Sequence, residues 1–190
     1  PHHLLSFVSP KRRYTVAKYQ YHAIRAAASI ALRGKLPILV GGSPLYIYSV
    51  IDRWMIPKVP PNLKLRKKLN NLTIAKLFSQ LKKLEPRRAK TIEQKNKRRL
   101  IRALEIVMTT KKPVPTFQRN PLPYPVLFLG IKKSPQELKK LIAKRLEKRF
   151  AHGMIAEVKK LRNSGLSWER LEEFGLEYRL IAQYLQGKLA

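Results

Sequence analysis

The stretch that most constrains the fold is KLPILVGGSPLYIYSV, from Lys35 to Val50. Leu36 to Val40 is a short unbroken apolar run, the pattern of a strand buried on both faces of a mostly parallel sheet. Gly41 and Gly42 then let the backbone leave the sheet and approach a ligand without interference from Cβ atoms. Ser43 and Pro44 read as the N-cap and first residue of a helix: the Ser hydroxyl can accept from an unpaired N–H, and Pro has no N–H to leave unpaired. Ligands of open α/β sheets sit beyond the carboxyl ends of strands, and a helix N-terminus attracts anions. Ser43 is therefore a candidate anion contact. An ordinary strand-to-helix turn capped by Ser has the same spacing, and both readings stand at this point.

Periodicity extends the reading in both directions. Val16, Tyr19, Ala23, Ala27, Ile30 and Ala31 predict a helix over 15–33, ending at Gly34. A helix leading into a strand is half of a βαβ crossover, so its first strand is expected upstream of Pro1. A second apolar run, Val126 to Ile131, is a second expected strand, and Ser134-Pro135-Gln136-Glu137 is a capping box that opens a helix. Leu138, Leu141, Ile142, Leu146 and Phe150 carry that helix, and Asn163-Ser164-Gly165 stops its continuation. Shorter helices follow near 167–174 and from 177 onward.

Between the two expected strands, Pro57 to Pro61 breaks the pattern, and residues 62–112 read as wholly helical. Thr73 caps a helix with the apolar stripe Ile74, Leu77, Phe78, Leu81 and Leu84. Asn96 caps the next, in which Leu100, Ile101, Leu104, Val107 and Met108 face inward. The expected organisation is an incomplete α/β core over 1–57 and 122–190, interrupted by an all-helical insertion over 58–121.

Charge points to the partner. Forty-one Lys and Arg against 11 Asp and Glu give a formal net charge of +30, and self-repulsion of that size calls for a polyanion such as nucleic acid. Arg98, Arg99 and Arg102 lie within about one turn of each other beside a helix N-terminus, an arrangement suited to gripping phosphate. The alternative is a solvated basic face with Glu105 as local partner. No Cys is present, which excludes disulfides and thiolate metal sites. His2 and His3 are adjacent, a poor metal pair, and no metal-ligand set is expected. No apolar run approaches the ~20 residues of a membrane helix, and a cytoplasmic location is expected. No G-x-x-x-x-G-K-[ST] occurs. Residues alone thus reach an RNA-binding α/β domain with a basic helical insertion, and no reaction.

Several separated motifs go further. Pro1-His2-His3-Leu4-Leu5, Gly34 to Ser43 with Leu45-Tyr46, Arg98-Arg99-Leu100-Ile101-Arg102-Ala103-Leu104-Glu105, and Tyr178-Arg179 with Tyr184-Leu185 resemble, in order and spacing, the tRNA dimethylallyltransferases. The resemblance implies a P-loop-kinase-like core whose helical insertion grips the anticodon stem-loop of tRNA. It also implies transfer of a dimethylallyl group from dimethylallyl diphosphate to N6 of the adenosine beside the anticodon, with Mg²⁺ as cofactor, in a monomer. Ser43 stands where the family usually has Thr and is the implied catalytic residue, touching diphosphate and RNA, with Gly41 and Gly42 on the diphosphate approach. Arg66, Arg98, Arg99, Arg102, Tyr178 and Arg179 are the other implied RNA contacts. Asn96 replaces a usual Asp, and Glu177 stands beside Tyr178 and Arg179 where a Gly is usual. The family's P-loop, its Mg²⁺ ligand and its general base would lie upstream of Pro1, and a further basic segment downstream of Ala190. A fragment inactive by itself is expected. A non-catalytic RNA-binding module and an adenylate isopentenyltransferase are the alternatives.

Overall fold

The computed structural model describes residues 2–116 and 118–189. Pro1 of the opening motif lies outside the described residues. Among the described residues the chain forms α-helices and no strand, in two compact units: Pro1–Val8 with Tyr14–Val126, and Ser9–Arg13 with Leu127–Ala190. The insertion expected over 58–121 lies wholly inside the first unit.

In the first unit, α1 (Val16–Leu32) packs on α2 (Pro44–Ile51). Thr15 caps α1 by accepting from the Lys18 N–H, and Gln20 on α1 ties the pair by donating to the Ser49 and Trp54 carbonyls at 2.6 and 2.9 Å. The helical region follows as α3 (Leu63–Asn70), α4 (Ile74–Leu84), α5 (Pro86–Thr91) and α6 (Lys97–Thr110). Each of α3, α4 and α6 starts where a side chain accepts an otherwise unpaired N–H: Asn62 from Leu65, Thr73 from Lys76 and Asn96 from Arg99. Their apolar stripes meet, and Leu77, Leu81, Leu100 and Leu104 are completely buried in one cluster. Each such side chain is worth about 1.5–3 kcal/mol relative to exposure, so this cluster holds the region together.

The second unit contains α7 (Pro135–Ala151), α8 (Met154–Asn163), α9 (Trp168–Glu172) and α10 (Leu176–Leu185). Ser134 caps α7 by accepting from the Glu137 N–H, as the capping box predicts, but the Glu137 carboxylate pairs with Lys133. Met154, Val158, Leu166, Leu171, Ile181 and Ala182 form the core of this unit. Arg170 fastens the Ser9–Arg13 strap to it, donating to the Pro10 and Arg12 carbonyls at 3.1 and 2.8 Å.

The two expected strands do not form among the described residues. Leu36, Ile38 and Val40 are 76–86% exposed, and Leu127, Leu129 and Ile131 are 80–92% exposed. A strand exists only as one member of a ladder, whose hydrogen bonds come from its neighbours. The apolar face of α7 is likewise uncovered: none of its residues is buried.

Candidate nucleic-acid interface

The most constrained polar site lies in the first unit, around Glu105 on α6. Its apolar neighbours Leu104, Ile106 and Val107 draw α6 into the core, and Glu105 goes with them, with no exposed surface. A buried carboxylate must be fully hydrogen-bonded. Glu105 accepts four bonds: from the Asn62 N–H at 2.7 Å, Arg66 Nε at 2.8 Å, Arg66 Nη2 at 2.7 Å and Arg102 Nη1 at 2.6 Å. Those four fill the lone-pair sites of the carboxylate. Arg102 Nη2 also donates to the Val59 carbonyl at 3.0 Å. One carboxylate therefore joins α3, α6 and the loop before α3. Burial by itself pushes the Glu105 carboxyl up, but the hydrogen bonds from Arg66, Arg102 and Asn62, together with the charge of Arg66, outweigh it and hold the carboxyl below its ordinary value.

The three arginines expected to converge at the α6 N-terminus are committed differently. Arg102 turns to Glu105 and Val59. Arg99 lies 3.5 Å from Glu93, with both side chains largely exposed. Arg98 is exposed and has no ion-pair partner among the described residues. Arg66, distant in sequence, is the one paired with Arg102. The signal for Glu105 is a lone carboxylate inside the apolar run Leu104 to Met108, three residues after an Arg.

Ser43 is the N-cap of α2, with Pro44 at the first position, as its spacing predicts. Its hydroxyl makes no capping bond and the residue is exposed, so the oxygen is available to a ligand. Gly41 and Gly42 have nothing within 4 Å of where a Cβ would stand, leaving the approach to this helix end open.

In the second unit, Tyr178 and Arg179 are in the first half of α10. The Tyr178 hydroxyl donates to Glu157 at 2.7 Å. Burial first, and then this hydrogen bond, push its phenol up to about 12. Arg179 is exposed. Glu177 beside them pairs with Arg149 at 2.9 Å and Arg145 at 3.6 Å.

Among the described residues no group of three or more His, Cys, Asp or Glu side chains could hold a metal. No helix among them is long and apolar enough to cross a membrane.

A family model described as IPP transferase matches residues 1–190. The chain is 37% identical to tRNA dimethylallyltransferase 1 of Geotalea uraniireducens and 38% identical to the like-named protein of Syntrophus aciditrophicus, covering 100% of this chain and 62% of each relative. Among solved structures, the full-length tRNA isopentenylpyrophosphate transferase of Bacillus halodurans superposes with a TM-score of 0.63 at 30% identity, over 100% of this chain and 60% of that one. The tRNA delta(2)-isopentenylpyrophosphate transferase of Staphylococcus epidermidis gives 0.55 at 25% identity, over 96% of this chain and 62% of that one. The chain thus spans about three fifths of the length of these relatives. With the match running through the helical region, the Ser43 turn and the α10 segment alike, this chain belongs to the IPP transferase family.

Proposed function

We propose that this chain is the acceptor-binding part of a tRNA dimethylallyltransferase. The reaction moves a dimethylallyl group from its diphosphate to N6 of the adenosine next to the anticodon. The observation that carries the reading is the family match over all 190 residues, with relatives named for this activity at 35–38% identity. The net charge of +30 supports a polyanionic acceptor and disfavours free adenylate, which needs no basic helical region.

In this reading the target base leaves the loop stack so that N6 can reach the allylic carbon. An N–C bond forms as the C–O bond to diphosphate breaks, and the surplus N6 proton passes to a base. Ser43, with its hydroxyl free at the N-terminus of α2, donates to diphosphate oxygen or RNA while Gly41 and Gly42 allow close approach. Arg66, Arg98, Arg99 and Arg102 hold phosphates of the anticodon stem-loop, and Tyr178 and Arg179 contact RNA from the second unit. Mg²⁺, when bound with the diphosphate, would neutralise part of its charge. In the whole protein of this reading, 36–40 and 126–131 become strands of a parallel sheet of the P-loop-kinase kind, in the α/β core over 1–57 and 122–190, once neighbours supply the ladder; their apolar, uncovered side chains support this. The protein acts as a cytoplasmic monomer.

The test is transfer from dimethylallyl diphosphate to unmodified tRNA in the presence of Mg²⁺, by this chain and by the product of the full reading frame that encodes it. Prenylated adenosine from the full product is the expected result. Binding of tRNA without transfer by either would replace the reading with a non-catalytic RNA-binding one. Transfer to adenylate in preference to tRNA would replace it with an adenylate isopentenyltransferase.

A further inference from the structure

We infer that Glu105 is a positioning residue for RNA: it presents Arg66 and Arg102 as one prebuilt pair to a backbone phosphate of the acceptor. The inference rests on the proposed reading that these arginines face RNA, and adds how they are aimed. A guanidinium carries five N–H donors. Arg66 uses two on Glu105, and Arg102 uses one on Glu105 and one on Val59. Three donors remain on each, on side chains 30% and 33% exposed. Both heads are therefore gripped from the inside while their outer edges reach the surface.

The charge count supports a ligand. Two guanidiniums around one carboxylate leave a local charge of +1, held beside the exposed Arg98 and Arg99 on the same helix. Long side chains lose rotamer freedom when they bind, and a carboxylate that has already ordered two of them removes that cost from the binding step. A buried pair kept only for stability would be served as well by apolar residues of similar volume. This one keeps two charged heads partly exposed, one from α3 and one from α6.

The sign of one substitution separates positioning from simple electrostatics. Removing a negative charge near RNA, with nothing else changed, tightens binding. Loss of positioning weakens it. The probe is an unmodified tRNA anticodon stem-loop titrated into the wild-type protein and into Glu105→Gln, Arg66→Ala, Arg102→Ala and the double variant Glu105→Gln/Arg66→Ala, each first checked for a cooperative melt. Roughly tenfold weaker binding by Glu105→Gln is expected, from the cost of re-ordering two side chains. Arg66→Ala should then cost much less in the Glu105→Gln background than in the wild type. Equal or tighter binding by Glu105→Gln, with both arginine variants weakened, would overturn the positioning role and leave the RNA interface standing. Unchanged binding in both arginine variants would overturn the interface at this site. If Glu105→Gln does not fold, the Nε–H resonances of Arg66 and Arg102 in the wild-type protein decide. Both should be sharp before RNA is added and shift when it binds, and resonances unmoved by saturating RNA would overturn the proposal.

Discussion

Glu105 receives both Nε and Nη2 of Arg66, at 2.8 and 2.7 Å, so a two-pronged bond fastens α3 to α6 through a carboxylate with no exposed surface. Removing it strands two guanidiniums and the Asn62 N–H. Glu105→Ala should therefore cost about 3 kcal/mol, the low end for breaking a buried pair because both arginines are partly solvated. The urea midpoint of unfolding measures it. The folded carboxyl sits below its ordinary value of 4.5, so its contribution is present above the unfolded value and fades as pH falls through the lower folded one. Wild-type stability should drop over that acidic window, and Glu105→Gln should show a smaller drop.

Core and uncovered segments should respond oppositely to truncation. Leu104→Ala and Leu77→Ala remove fully buried side chains and should each destabilise by about 2–5 kcal/mol. Leu129→Ala and Ile131→Ala alter side chains 80% and 92% exposed, and should stay within about 0.5 kcal/mol in this chain. Thermal melts of the four variants test the contrast. A large loss at Leu129 or Ile131 would mean that those residues pack in solution.

Arg98 and Arg99 should act through phosphate. The exposed Arg99–Glu93 contact at 3.5 Å is weak enough to yield to a stronger anion. Changing either arginine to Ala should weaken binding of an anticodon stem-loop and lower the slope of log affinity against log salt by about 1. The measurement is a titration at four or more salt concentrations. An unchanged slope in both variants would remove these residues from the interface.

Tyr178 should titrate late. Its phenol is pushed up to about 12 by burial and by the bond to Glu157. A folded value above the unfolded one means stability that is complete below pH ~10 and lost as pH rises through the folded value. Difference absorbance of the phenolate, compared with Tyr178→Phe, should isolate this late group. The same variant should cost about 1 kcal/mol through the lost hydrogen bond.

Much of this protein was legible in its residues because the signals are local. Thr73, Asn96 and Ser134 stand as caps where short polar side chains precede apolar periodic runs, and each accepts the N–H three residues on. The buried centres of the α4 and α6 stripes, Leu77, Leu81, Leu100, Ile101, Leu104 and Val107, follow from the 3.6-residue period, while Ile74, Leu84 and Met108 at the stripe ends are exposed; the basic surface follows from composition. Ser43 also marks a helix start, through its place before Pro44 and without the capping bond the other three make. What distance along the chain conceals was decided by tertiary structure. Arg102 looks like a partner of Arg98 and Arg99 because they share a helix turn, yet a carboxylate drawn inward by Leu104 and Ile106 turns it toward Arg66, 36 positions away in sequence. Leu36 to Val40 and Val126 to Ile131 carry the composition of buried strands, but a strand also needs hydrogen-bonding neighbours that its own residues cannot supply. Local preference selects the helices and their ends; which charges pair, and which apolar runs are covered, depends on what the fold brings beside them.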